Sequence, residues 1–197
     1  MIQRLVDKII NRQIKNKTIL ENEVNIYRYG YFLLFEILIN IIISIFIGMM
    51  FRDMETILVF LFMYVPLRTY SGGWHANKLW KCTLISNLIL VIAEVIINYW
   101  IEYISVTNGL FVAIWCVVLI LVFSPVDTET KILNEVEKKI YKRKTYVIAM
   151  IQICIMCFCI VFSKNKYSII IEYTYFIQAL MLIVEKIKRC SKIKIKY

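Results

Sequence analysis

A chain of 197 residues that is 60% hydrophobic and 14% aromatic, with only five glycines and two prolines, is too apolar for a soluble globule. Its 24 lysines and arginines against 14 acids leave a net charge of +10, which in such a chain is matched by anionic lipid headgroups and does not require nucleic acid. These quantities define an all-α polytopic membrane protein.

The first 28 residues carry Ile2, Leu5, Val6, Ile9, Ile10 and Ile14 at helical spacing, with Arg4, Asp7, Lys8, Asn11, Arg12 and Lys15 on the other side. This is an amphipathic helix suited to the headgroup region. Charges interrupt it every few positions and no small-residue cleavage site follows, so it is not a secretory signal.

Six apolar segments follow: Tyr31 to Met50, Glu55 to Leu67, Thr83 to Trp100, Leu110 to Ser124, Tyr146 to Ser163 and Tyr167 to Val184. A crossing needs about 20 residues, so the second and fourth require tilt, flanking residues or local thinning. Six spans is the expected count, with four as the alternative. Cytoplasmic loops retain positive charge. In the six-span arrangement 21 basic residues fall on one side and only Arg52, Lys164 and Lys166 on the other, which places both termini in the cytoplasm. No repeat, low-complexity stretch or flexible linker divides the chain, so residues 1–197 form one membrane domain.

Between the second and third segments lies RTYSGGWHANKLWKC, residues 68–82, holding the only histidine, His75, seven residues before Cys82. Cysteine attacks as a thiolate, so a catalytic cysteine needs its pKa lowered from about 8.5. A helix start and nearby Lys78 and Lys81 favour that anion. His75 is the natural proton carrier near neutral pH. On one unbroken helix, seven residues would separate the two by about 10.5 Å, too far for direct transfer. The chain therefore bends between them, or His75 precedes the helix and folds back, a freedom that Gly72 and Gly73 supply. Arg68 is suited to a substrate carboxylate or a lipid phosphate. The plain alternatives are an interfacial histidine, a helix-start thiol, a turn after Pro66 and an arginine anchor. Segment 66–82 is thus the candidate catalytic loop and helix start, and 125–145 a basic cytoplasmic loop.

The other cysteines read differently. Cys116, Cys154, Cys157 and Cys159 fall in apolar segments and Cys190 in the basic tail, so reduced thiols acting as small hydrophobes are expected. No histidine or charged residue accompanies the Cys154, Cys157, Cys159 group, so neither a metal nor another cofactor is expected.

With Arg68, the Gly72-Gly73 pair, His75 and Cys82 in an R-x3-G-G-x-H-x6-C pattern, the chain resembles the accessory gene regulator B family, membrane endopeptidases of Gram-positive quorum sensing. The likeness extends to the amphipathic N-terminus, the spans, and FSPVDTETK followed by a basic loop. It implies that Cys82 attacks a peptide bond of a short precursor of the accessory gene regulator D type, with His75 as base and acid. Arg68, Gly72, Gly73, Lys78 and Lys81 would then receive the substrate. It also implies a thiolactone product, a homodimer, and residence in the cell membrane with the active site toward the cytoplasm. A third residue to orient the imidazole stays open among Asn77, Asn87 and Asp127.

Two competing readings remain at this level. Glu36, Glu94 and Glu172 fall in or near apolar segments, where acids are costly, and suit a small transporter or channel. A non-catalytic membrane scaffold is the other.

Overall fold

The computed structural model describes residues 2–16, 18–19, 23–74, 79–101, 106–126 and 134–195. Seven α-helices account for nearly all of them: α1 (Ile2–Lys15), α2 (Val24–Phe51), α3 (Met54–Ser71), α4 (Leu79–Val95), α5 (Val106–Phe123), α6 (Glu135–Val161) and α7 (Asn165–Ile195). A π-helical turn, Ile96–Trp100, prolongs α4. Each expected apolar segment is therefore one helix. Among the described residues there is no strand, only a single parallel bridge between Gly72 and Val126.

Four helices, α2, α4 with its π turn, α6 and α7, are long and apolar enough to cross a membrane, while the apolar part of α5, Gly109–Phe123, is shorter. Large side chains such as Phe46, Phe62, Phe111 and Trp115 point outward. In water such a surface would be an aggregation liability; in lipid it is the required solvent face.

The helices outrun the apolar segments that announce them. A backbone i to i−4 bond is indifferent to side-chain polarity, so α6 begins at Glu135, where Asn134 and Glu137 cap each other reciprocally, eleven residues before the apolar run. Pro66 lies inside α3 instead of ending it. Residues 66–71 of the expected loop thus complete α3, and Thr69 and Ser71 return their hydroxyls to the carbonyls of Val65 and Leu67.

α7 is the hub, with 61% of its spanning residues buried against 19% for α2. On one side Ile171, Tyr175, Ala179 and Leu182 pack with Leu67 of α3, Ile120 of α5 and Met156 of α6. On the other, Ile169, Ile170 and Ile177 pack with Phe60 of α3, Ile47 of α2 and Leu90 of α4. Buried polar groups fix the register: Gln152 donates to the Met63 carbonyl at 2.7 Å and the Tyr175 hydroxyl to the Ala149 carbonyl at 3.1 Å. The amphipathic α1 seats Val6 and Ile10 inward. It is tied to α2 by an Arg28–Asp7 pair at 3.3 Å and by Gln13 donating to the Tyr31 hydroxyl at 2.5 Å.

The two ends of the bundle differ. At the end holding the α2–α3 turn, Lys166 contacts Asp53 at 2.9 Å and Glu55 at 3.2 Å. Asp53 also accepts from the Thr56 backbone and hydroxyl. Burial acts to raise the Asp53 pKa, but the Lys166 and Thr56 hydrogen bonds outweigh it and hold the carboxyl below 3.8. A carboxylate with a depressed folded pKa stabilises above its unfolded value and loses that contribution as pH falls through the folded one. Thermal unfolding in detergent is therefore expected to show a loss of stability below pH 3.8 that is diminished in Asp53→Asn.

Candidate functional site

The opposite end carries the Gly72–Trp74 strap, Val126, the start of α4 and the later part of α7. α3 stops at Ser71 because Gly72 and Gly73 take φ values of +76° and +129°, which residues with a β-carbon rarely adopt. The strap is bonded at both ends, through Gly72 and Trp74. The Val126 N–H donates to the Ser71 carbonyl at 3.1 Å, and the Trp74 N–H donates to the Met181 carbonyl of α7 at 3.1 Å.

Two side chains lock it from within. Arg68 donates from Nη1 to the Gly72 carbonyl at 2.6 Å and from Nη2 to the Trp74 carbonyl. Gln178, fully buried on α7, donates from Nε2 to the Ser71 hydroxyl at 2.6 Å and to the Gly72 carbonyl at 2.8 Å. The lack of a side chain at positions 72 and 73 is required as well. A β-carbon on Gly72 would stand 2.5 Å from the Val126 carbonyl oxygen, and one on Gly73 would collide with the Arg68 guanidinium.

Cys82 is the fourth residue of α4 and is half-buried. Lys81 beside it is exposed, with its Nζ 5.5 Å from the centre of the Trp80 ring. His75 and Lys78 lie outside the described residues, as do Asn77 and Asp127. Asn87 faces α2: its amide donates to Asn40 Oδ1 at 3.1 Å and to its own helix at Thr83. Lys144 of the basic α6 segment caps the Tyr70 ring at 4.7 Å, two residues from Arg68.

The structure thus brings Arg68, Gly72 and Gly73 into one unit, with Cys82 on the next helix. Gln178, Ser71, Met181 and Val126 belong to that unit and escape sequence reasoning. A buried glutamine within an apolar run is a signal that something must satisfy it, but its partner, more than 100 residues away, is not readable. Pro125, which cannot continue a helix, follows the last turn of α5, and the Ser124–Pro125 peptide is cis.

The three acids of the transporter reading are dispersed over three helices. Glu36 falls in α2. Glu94, fully buried in α4, accepts from Asn98 at 3.0 Å. Glu172 of α7 rests against Gly109 of α5. Among the intramembrane thiols, Cys154 and Cys157 are exposed on α6 while Cys116 and Cys159 are buried.

Fold and site together define a helical membrane protein with a thiol at a helix start and a hydrogen-bonded glycine strap at the same end of the bundle. The family model for accessory gene regulator B matches residues 2–182, and the chain belongs to that family. It is 30% identical over 172 residues to an AgrB-like protein of Clostridium perfringens, covering 84% of this chain and 80% of the relative. It is 27% identical over 150 residues to the protein FsrB of Enterococcus faecalis, covering 76% and 59%. An AgrB-like protein of Listeria monocytogenes is 34% identical over 97 residues, covering 48% and 45%. No solved structure matches the chain.

Proposed function

We propose that this protein is a membrane cysteine endopeptidase that cuts a short precursor peptide of the accessory gene regulator D type and serves quorum sensing. Residues 1–197 act as one domain with six crossings, the strap end facing the cytoplasm, where 21 of the 24 basic residues then fall. The observation that carries the reading is the strap itself. Trp74, immediately before the lone histidine, is pinned to α7 by its N–H and to Arg68 by its carbonyl, at the same end of the bundle as Cys82. Consecutive Cα atoms are about 3.8 Å apart, so fixing Trp74 confines where His75 begins.

The steps balance without a cofactor. His75 takes the Cys82 proton and the sulfur attacks the scissile carbonyl. The C–N bond breaks as the imidazolium protonates the departing amine, leaving a thioester on Cys82 and a free C-terminal fragment. The precursor's internal thiol then attacks the thioester, its proton passing to the Cys82 sulfur, and a thiolactone leaves. This exchange is close to isoenergetic whereas hydrolysis is downhill, so the site must exclude water and hold the thiol near. Trp74 and Trp80 supply apolar flanks.

Within this scheme Arg68 and Gln178 are positioning residues, and Lys78, Lys81 and the basic start of α6 attract an acidic peptide end. Mass spectrometry of the co-expressed precursor tests the reading. Wild-type protein should yield the C-terminal fragment and a cyclic product, and Cys82→Ser should yield neither. Unchanged processing by Cys82→Ser would overturn it.

Gln178→Leu preserves volume but leaves Ser71 and the Gly72 carbonyl without their α7 donor, a loss of about 1–3 kcal/mol. Misplacement of about 1 Å can cost roughly a hundredfold in rate. Precursor cleavage by Gln178→Leu is therefore expected to fall at least about tenfold, with Gln178→Glu retaining a larger share of the wild-type rate at low pH than at neutral pH, since only the protonated acid donates.

A further inference from the structure

A cavity of about 400 Å³ lies between α2, α3 and α4. That volume is at the lower end of the roughly 300–1,000 Å³ of small-molecule sites. Its walls include Ile41, Phe60, Leu61, Tyr64, Ser86 and Leu90. The helices are kept from closing on it by their sequence: the Asn40–Asn87 hydrogen bond sets the spacing of α2 and α4, and Ser44 and Ser86 put small side chains where leucine would fill the gap. The Ser44 hydroxyl is already given to the Asn40 carbonyl at 2.7 Å. What remains is a largely apolar recess.

Its position relative to Cys82 gives it meaning. Ser86 stands four residues after Cys82 and so on nearly the same face of α4, a rise of about 6 Å. An extended peptide advances roughly 3.3 Å per residue. Two residues of a peptide whose carbonyl is held at the Cys82 sulfur therefore span the distance from the thiol to the recess.

Resting on the assignment of Cys82 as nucleophile, we propose that this recess is the specificity pocket for the two residues preceding the scissile bond, and that it selects bulky aliphatic or aromatic side chains. The acyl side is the one that needs such a pocket. After the first step the leaving fragment departs, but the acyl portion must wait on Cys82 for an internal thiol. Apolar side chains buried beside α4 hold it there and keep water from the thioester. A lipid chain is the competing occupant, since Ile41 and Val65 at the rim are outward-facing.

The test uses purified full-length protein in phosphatidylcholine–phosphatidylglycerol vesicles. The substrates are the precursor, with its cleaved bond mapped by mass spectrometry, and a variant precursor with alanine at the two positions before that bond. Wild-type protein should cleave the first at least about tenfold faster. Ser86→Phe, which fills the recess, should lose that preference while still cleaving the alanine peptide, and Leu61→Ala, which enlarges it, should shift preference toward larger side chains. If Ser86→Phe is inactive on both peptides, the Leu61→Ala shift decides. Wild-type preference retained in Leu61→Ala, with Ser86→Phe inactive or likewise unchanged, would overturn the pocket and leave lipid as its occupant. Cleavage by Cys82→Ser, assayed alongside, would instead remove the nucleophile assignment.

Discussion

Precursor cleavage is expected to fall by about a thousandfold or more in Cys82→Ala and to a similar extent in His75→Ala, with each variant inserted in the membrane at wild-type levels. The two losses should not add, because a nucleophile and its base act as one unit: with the thiol gone the imidazole has no proton to move. Cys154→Ala serves as the contrast. Its side chain is exposed on α6, outside the site, and should leave cleavage unchanged. Immunoblotting of a C-terminally tagged precursor gives the rates, and membrane fractionation gives the insertion control. Equal processing by Cys82→Ala and wild type would exclude the covalent mechanism, and loss caused by Glu94→Gln or Glu172→Gln alone would favour a transport role.

Gly73→Ala is expected to reduce cleavage by about a hundredfold, although residue 73 itself carries no reactive group. A β-carbon there meets the Arg68 guanidinium, and the φ of +129° is strained for any L side chain. One of two things must then yield. Either Arg68 withdraws from the carbonyls of Gly72 and Trp74, or the strap shifts away from α7 and gives up the Trp74 to Met181 bond. Both routes move the chain that enters His75. Arg68→Lys should resemble Gly73→Ala in direction, since an ammonium cannot span two carbonyls in the fixed fork of a guanidinium. Neither change touches the Cys82 thiol, so labelling of Cys82 by a maleimide should persist while turnover is lost. A Gly73→Ala variant with wild-type turnover would show that the strap does not position the base.

Much of this protein is legible from residue order. Apolar runs locate all six long helices, because a lipid-facing helix must be apolar over most of its length. The N-terminal periodicity locates α1. The positive-φ glycines end α3 as their lack of a β-carbon suggests. Helix ends are less legible: α6 begins eleven residues before its apolar run, and α3 continues through Pro66, since hydrogen-bonded backbone extends wherever a cap or packing supports it. Arg68 shows the limit most clearly. Its charge and place suggest a substrate anion, but in the folded chain its donors are directed to backbone carbonyls of its own strap.

Residue order by itself determined the membrane class and the helices, because each follows from local composition or spacing. Only the tertiary structure decided that α7 is the hub, that Gln178 and Met181 hold the strap, and that a recess opens one turn from Cys82. The strap's hold on α7 depends on contacts between residues 106 and 107 positions apart, and nothing in a linear pattern records which buried polar group will meet which carbonyl.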